Sequence, residues 1–362
     1  MWKTRMAQVM IFISMVFLHL VVSPISASPL APAMYVFGDS LMDNGNNNYL
    51  PTIAKANFLP YGNDFPQGAT GRFTNGKHVA DFVAAYLGLP YPPPYLSLKG
   101  QKSLTGVSYA SGSCGILPES GAMLGKCLDL KEQVNLFQTT IKTDLATEIK
   151  NPNQLSDHLS KSIYIFSIGS NDYINNYLDT ENSNSSKRYQ PKSFAELLIE
   201  NLSLHLESVY KLGARKIIMF EIGPVGCIPS VSRARVHKGN CMEEVNQMVT
   251  FFNERLPPLL KNLTSRLPGS NFVLGRDNSL GYDVINNPSK YGLKEARHPC
   301  CSTWANETSG CIPLSKPCPD PTKYVFWDAF HITEAVNSIM ASGCLKNSSI
   351  CTPTSIQELV KM

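Results

Sequence analysis

The chain has 362 residues, of which 43% are hydrophobic and 17% are charged. This composition supplies enough apolar side chains for one large core and is unlike that of a disordered protein. The 32 Lys and Arg residues against 28 Asp and Glu residues give a formal net charge of only +4. Because no block of like charges occurs either, the chain offers no basic surface of the kind that nucleic-acid binding uses.

The N-terminus has the pattern of a secretory signal peptide. Lys3 and Arg5 precede an apolar stretch, Val9–Val22, and small residues follow it. The stretch is short for a membrane span, so an uncleaved anchor is the less favoured alternative. We therefore predict a signal peptide over residues 1–27, a single domain over 28–362, and no stable membrane span after cleavage.

Short β-branched runs alternate with helical patterns along the rest of the chain. Predicted strands are Ala33–Phe37, Ser162–Ile168, Lys216–Ile222 and Asn271–Leu274. Predicted helical segments are Leu130–Leu145, Ser193–Leu212 and Met242–Leu256, the last ended by Pro257 and Pro258. This alternation predicts an α/β fold with a central parallel sheet covered on both faces.

The first strand leads into "GDSLMDNGNNN", and Ser40 lies just past its carboxyl end. Asn171 follows the second strand in the same way, and ligands of parallel sheets bind at that edge. We therefore expect both side chains to open onto one site. The amides of Asn44 and Asn46–Asn48 are predicted to hydrogen-bond the loop that holds Ser40.

Ten cysteines follow the predicted cleavage site, an even number typical of disulfides in an exported chain. A zinc site is the weaker alternative, because no C-x-x-C pair or histidine cluster accompanies them. Close spacing favours the pairs 114–127, 227–241 and 344–351, and residues 298–327 are predicted to form a disulfide-stapled loop beside the pocket. Candidate N-glycosylation sites are Asn184, Asn201, Asn262, Asn306 and Asn347.

His331 is the histidine best suited to act as a base toward Ser40. Asp328 precedes it by three residues, a spacing that lets the carboxylate hold Nδ1 while Nε2 faces the serine. Two other histidines have an acid nearby: His78 with Asp81 and His158 with Asp157. Since D-x-x-H is common by chance, the alternative is that Asp328 caps the next helix and His331 is structural.

Acyl transfer also requires hydrogen-bond donors aimed at the developing oxyanion. The candidates are the side-chain N–H of Asn171 and the backbone N–H groups of Gly112 and Ser40. Ordinary turns at Asn171 and Gly112 are the alternatives. The Gly-x-Ser-x-Gly elbow, a P-loop and a dinucleotide fingerprint are all absent from the sequence.

Six blocks, in this order, resemble the GDSL lipase/esterase family, also called SGNH hydrolases, and most closely its secreted plant branch. The blocks are "FGDSLMDNGNNN", "TGRFTNGK", "GVSYASGSCGIL", "SIGSNDY", "LGARKIIMFEIGPVGCIP" and "YVFWDAFHITEAVN". The likeness covers about residues 32–345. The sequence departs from the usual pattern of the family at Ser108, Ser113, Cys114 and Ile332, where the family usually has other residues.

The resemblance implies a flavodoxin-like three-layer α/β/α sandwich, the SGNH hydrolase fold. It implies a catalytic triad of Ser40, Asp328 and His331, and an oxyanion hole of Ser40, Gly112 and Asn171. It also implies that no metal or organic cofactor is needed.

The predicted function is therefore hydrolysis of a small-molecule or polymer ester through an acyl-enzyme, by a protein secreted to the apoplast or cell wall. An acyltransferase using the same triad is one alternative. A non-catalytic secreted binding or modifier protein on the same fold is the other.

Overall fold

The computed structural model describes residues 28–304, 307–346 and 349–362. The predicted signal peptide lies outside these residues, as do the candidate glycosylation sites Asn306 and Asn347. The other three candidate sites are described: Asn184 and Asn262 are exposed, and Asn201 is half-buried.

A five-stranded sheet forms the centre of the fold, in the order β1-β2-β3-β4-β7. The first four strands are parallel, and the short β7 pairs antiparallel with β4. β5 and β6 form a separate two-stranded sheet. The bounds are β1 Met34–Gly38, β2 Ile163–Ser167, β3 Lys216–Phe220, β4 Asn271–Gly275, β5 Glu295–Pro299, β6 Tyr324–Phe326 and β7 Cys351–Thr352.

An irregular segment, residues 105–111, extends the sheet beyond β1. Its backbone exchanges hydrogen bonds with β1, including Val36 N–H to Val107 O and Tyr109 N–H to Val36 O. The bridge between Val36 and Ser108 is parallel. With this segment as the edge, the chain order across the sheet is that of a flavodoxin-like fold, second element first.

The longer helices cover both faces of the sheet. Their bounds are α1 Val79–Leu87, α2 Leu130–Thr139, α3 Pro152–Lys161, α4 Pro191–Lys211, α5 Glu243–Asn253, α6 Leu256–Arg266, α7 Asp277–Asn286 and α8 Glu334–Lys346. Shorter helical turns are Ala146–Glu148, Ser170–Asp172, Ser185–Arg188, Pro229–Ser232 and Ile356–Leu359.

Alternate residues of each strand serve the two cores, because successive side chains of a strand point to opposite faces. Tyr35 and Phe37 of β1 pack in the core that holds α2–α6. Met34 and Val36 pack in the core that holds α1, α7 and α8. The sheet is thus buried on both sides, and the predicted three-layer α/β arrangement is confirmed.

Several predicted boundaries differ from the observed ones by one or two residues, and the α-helical part of Leu130–Leu145 ends at Thr139, where a π-helix continues to Leu145. The end of the third predicted helix is also wrong. The helix expected to run to Leu256 ends at Asn253, and Pro257 and Pro258 lie in the first turn of α6. Proline is tolerated there because the first-turn N–H groups have no partner within the helix.

The ten cysteines form five disulfides. The three pairs predicted from spacing are confirmed, and two further pairs, Cys300–Cys318 and Cys301–Cys311, staple the loop after β5. That loop borders the segment carrying Asp328, since the N–H of Cys301 donates to Trp327 O.

Candidate active site

Ser40, His331 and Asp328 form a continuous hydrogen-bonded path. His331 Nε2 lies 2.8 Å from Ser40 Oγ, and its Nδ1 lies 2.8 Å from both carboxylate oxygens of Asp328. Asp328 is fully buried, whereas His331 is 8% exposed and Ser40 is half-buried. With Nδ1–H donating to Asp328, Nε2 is free to accept the hydroxyl proton of Ser40.

The exit from β1 fixes the position of the serine. A Cβ on Gly38 would lie 2.4 Å from Ser167 O, so only glycine allows the end of β2 to approach this closely. The Gln133 side chain of α2 brackets the same residue, accepting from Gly38 N–H and donating to Gly38 O, each at 2.8 Å. Nothing in the sequence pattern marks Gln133 for this role.

Asp328 accepts hydrogen bonds from donors other than the imidazole ring of His331. Its Oδ1 accepts the N–H groups of Phe330 and His331, both at 2.8 Å. The Tyr61 hydroxyl donates to Oδ2 at 2.6 Å. The carboxylate therefore organises its own loop and does not cap α8, whose first N–H donates to Asn75 Oδ1.

The asparagines behind Ser40 cross-link its loop to neighbouring backbone. Each side-chain amide donates to backbone carbonyl oxygens. Asn44 donates to Pro92, and Asn48 donates to Thr70. Asn46 donates to Ser108 and Ala110, and Asn47 donates to Ala54 and Gly112. The supporting role predicted for these residues is confirmed.

Asp43 joins the serine loop to the segment that holds Gly112. Its buried carboxylate accepts N–H groups from Gly45, Asn46 and Asn47, and from Gly112 at 3.1 Å. Burial raises the pKa of Asp43 to about 6, against the opposing effect of these donors. In this geometry the N–H of Gly112 is committed to Asp43, so the predicted oxyanion role of Gly112 would require that bond to break.

Ser113, the next residue, lines the cavity at Ser40. It has a left-handed φ of 70°, which is uncommon outside glycine. Its hydroxyl is buried and has no hydrogen-bond partner among the residues that the structure describes. The sequence registers Ser113 only as a departure from the family pattern.

Asn171 also lines the cavity. Its Nδ2 donates to Cys114 O at 3.0 Å, and its Oδ1 accepts from Asn175 Nδ2 at 2.8 Å. These two bonds orient the amide, and the second Nδ2 proton is left for a ligand.

Asp39, beside the serine, is buried and faces the same cavity. Its Oδ1 accepts from Leu41 N–H, and burial raises its pKa to about 7. The acid that contacts His331 Nδ1 is Asp328.

A cavity of about 420 Å³ surrounds these groups and is lined mainly by apolar side chains. A mostly apolar cavity with a few convergent polar groups is the usual form of a small-molecule site. In the described part of the chain, no group of three or more His, Cys, Asp or Glu residues is arranged to hold a metal ion.

Comparison with known proteins gives the family. Residues 34–343 match the model of the GDSL-like lipase/acylhydrolase family. This chain belongs to that family. It is 46% identical over 342 residues to GDSL esterase/lipase 7 of Arabidopsis thaliana, covering 92% of this chain and 93% of the relative. Another Arabidopsis thaliana GDSL esterase/lipase is 41% identical, covering 91% of each chain.

The family supplies the reaction class. Members of the GDSL esterase/lipase group act on carboxylic esters, so the protein is a carboxylic ester hydrolase and its substrate is an ester. The roles of individual residues rest on the geometry described above.

Proposed function

We propose that the protein is a serine esterase that works through an acyl-enzyme intermediate. The observation that carries this proposal is the hydrogen-bonded path from Ser40 Oγ through the His331 ring to the buried Asp328, opening into an apolar cavity. A serine hydroxyl becomes an effective nucleophile when an adjacent base takes its proton.

In the first half-reaction His331 Nε2 accepts the Ser40 proton as Oγ attacks the ester carbonyl. Asp328 stabilises the imidazolium, which then donates its proton to the leaving alcohol oxygen. In the second half-reaction His331 deprotonates a water molecule, which attacks the acyl carbonyl. The imidazolium then returns this proton to Ser40 Oγ as the bond between Oγ and the acyl carbon breaks, and the acid is released.

The oxyanion is stabilised by N–H donors at the cavity wall. Asn171 Nδ2 and the Ser40 N–H are the two donors we assign. For the third, the backbone N–H of Gly112 is the donor implied by the sequence resemblance. The backbone N–H of Ser113, which Ser113→Ala would keep, is the alternative because the Gly112 N–H donates to Asp43. Removing one such donor usually costs about 10²–10³ in turnover, and we expect that loss for Asn171→Ala.

We also propose that the protein is exported. Five disulfides support this, because such bonds persist in oxidising compartments. None of the helices in residues 28–304, 307–346 and 349–362 is both long and apolar enough to cross a bilayer.

A fluorophosphonate probe tests the proposed nucleophile. We expect labelling of the folded wild type, loss of labelling in Ser40→Ala, and retention in Ser113→Ala, a matched control that removes another serine hydroxyl of the same cavity. Labelling that persists in Ser40→Ala would overturn the assignment. Competing an alcohol against water and measuring the ratio of ester to acid products separates hydrolysis from acyl transfer.

A further inference from the structure

The cavity extends well beyond the three reacting side chains, along the carboxyl edge of the sheet. Four of its lining residues mark successive strands: Ser40 after β1, Ser167 at the end of β2, Glu221 after β3 and Asp277 after β4. Neighbouring strands lie about 4.8 Å apart, so three gaps make a path of about 14 Å. This part of the cavity therefore extends along the sheet edge from Ser40, and loop residues such as Ile53, Leu124 and Gly310 line the cavity as well.

The walls over this edge are hydrocarbon. Pro224 and Ile228 come from the segment after β3, Val284 from α7, and Val336 and Met340 from α8. Val284, Val336 and Met340 are buried. We call this part of the cavity the acyl trough.

Gly223 is a half-buried residue of the trough wall. A Cβ built on this residue meets no atom of the described residues within 4 Å, and its φ lies outside the left-handed region. Gly281 on α7 is closer to its surroundings, with a Cβ position 3.0 Å from Pro224 Cδ and 3.5 Å from Met340 Cε. Protein interiors are normally close-packed, so unfilled space joined to a reacting serine indicates room for a ligand.

The far end of the trough is polar. Asp277 and Glu221 line it after the last two strands, and Asp277 Oδ1 is buried without a hydrogen-bond partner in the described part of the chain. Contact with apolar walls stabilises a bound hydrocarbon chain. Contact with a carboxyl group destabilises it, because the carboxyl group loses its water. The trough therefore suits a chain that ends before Asp277.

We propose that the acyl trough holds the acyl chain of the ester as an extended hydrocarbon of medium length, with its carbonyl carbon at Ser40. The inference rests on the proposed serine esterase function and specifies its substrate class. The trough is bounded by residues of α7, α8 and the carboxyl edge of the sheet, and an extended chain suits a row of lining residues that runs from strand to strand.

The test is a series of p-nitrophenyl esters in which only the acyl chain varies: acetate, butyrate, octanoate, laurate and palmitate. For wild type we expect kcat/KM to rise by up to about fourfold per methylene that the trough buries, and to fall again for the longest chains. A profile that is flat or falls from acetate onward overturns the proposal.

Gly223→Leu fills the trough, and Ser279→Leu adds the same side chain on the exposed side of α7 as a control. We expect Gly223→Leu to lower kcat/KM for octanoate at least tenfold while acetate stays within about twofold, and Ser279→Leu to leave both unchanged. Equal losses on the two esters, or no loss on octanoate, contradict the proposal. Gly223→Ala, which adds only a Cβ in open space, supplies a second folded variant with a smaller loss in the same direction.

Two controls separate this inference from others. Acetate esters of alcohols of increasing length vary the leaving group only, and an effect of Gly223→Leu confined to them would assign the trough to the alcohol and overturn the proposal. Absence of fluorophosphonate labelling at Ser40 in the folded wild type would overturn the proposed esterase mechanism. Labelling of the wild type together with a flat acyl-length profile would overturn only the proposal that the trough binds the acyl chain.

Discussion

Two His–Asp pairs with the same three-residue spacing lie buried in this protein. In one, His331 Nδ1 lies 2.8 Å from Asp328. In the other, His78 Nδ1 lies 3.4 Å from Asp81. The first lines the cavity, and the second lies at the start of α1, where Asp81 accepts the backbone N–H of His78.

The partners beyond each pair differ. His331 presents Nε2 to the Ser40 hydroxyl, whereas His78 Nε2 lies 2.6 Å from Asn44 Oδ1. Asp81 is also bound twice by the buried Arg72 guanidinium. The His331 ring contacts the Ser40 hydroxyl, whereas the His78–Asp81 pair is surrounded by the Asn44 amide and the Arg72 guanidinium. An equal spacing therefore fits the proton transfer proposed above in one place and anchoring of a loop in the other.

The largest expected effect separates the two histidines by activity. We expect His331→Gln to lower turnover by about 10⁴–10⁶, as loss of a triad member does in serine hydrolases. His78→Gln should leave turnover within about tenfold, because its ring contacts the support of the serine loop and not the serine. Steady-state kinetics on one ester checks both, and comparable losses would show that the pairs are not functionally distinct.

The second prediction concerns stability. Burial alone would raise the pKa of Asp81, but His78 and Arg72 hold it below its ordinary value. Arg72→Met leaves that carboxylate buried without its cation, and we expect the free energy of unfolding to fall by about 3–5 kcal/mol. Arg255→Met breaks the more exposed pair with Glu196 and should cost at most about 1 kcal/mol. Urea denaturation measures the free energy of unfolding of both variants. Equal losses of stability would contradict the view that Arg72 and Asp81 form a buried ion pair.

The third prediction uses pH. Burial lowers the pKa of His78 to about 4. Between about pH 6.5 and 4, His78 is therefore protonated in the unfolded state and neutral in the folded state. The stability from this group is present above about pH 6.5 and is lost as the pH falls toward 4. The difference in unfolding free energy between wild type and His78→Gln should therefore shrink on acidification.

Buried acids that do not contact His78 titrate in both proteins of that comparison, so the difference isolates the His78–Asp81 pair. Asp39, Asp43 and Asp172 have pKa values raised by burial, and their contribution cancels when the two curves are subtracted. Parallel curves for wild type and His78→Gln between about pH 7 and 4 would contradict the prediction.

The smallest expected effect concerns Tyr61, which donates to Asp328 as Arg72 donates to Asp81. Tyr61→Phe removes one hydrogen bond to a carboxylate, worth about 1.5 kcal/mol, and we expect turnover to fall about tenfold. Tyr109→Phe, which removes the buried bond to Thr140, is the matched control and should lower stability without changing turnover. Equal turnover in the two variants would remove Tyr61 from the support of the site.

The sequence predicts those parts of the fold that depend on local pattern. β1–β4 are recognisable because continuous apolar runs are typical of strands buried on both faces, and the positions of Ser40 and Asn171 at one edge follow from that. The irregular edge at residues 105–111 has no such run, since Gly and Ser interrupt it, and only its pairing with β1 reveals it.

The supporting contacts lie beyond local pattern because they join residues far apart in the chain. Gln133 contacts Gly38, and Asp43 contacts Gly112, across 95 and 69 positions. The same holds for the distinction between His331 and His78, whose spacings to an acid are equal. What differs is the third group on each ring, and that group is brought there by the fold.

The carboxylate of Asp43 has one further consequence, for recombination of family members. Asp43, Asn46 and Asn47 tie the serine loop to the backbone of residues 108–112, so the two segments behave as one mechanical unit. A chimera that exchanges only one of them with a relative would break the bonds between them. We therefore regard residues 38–48 and 105–117 as a single module, to be inherited together.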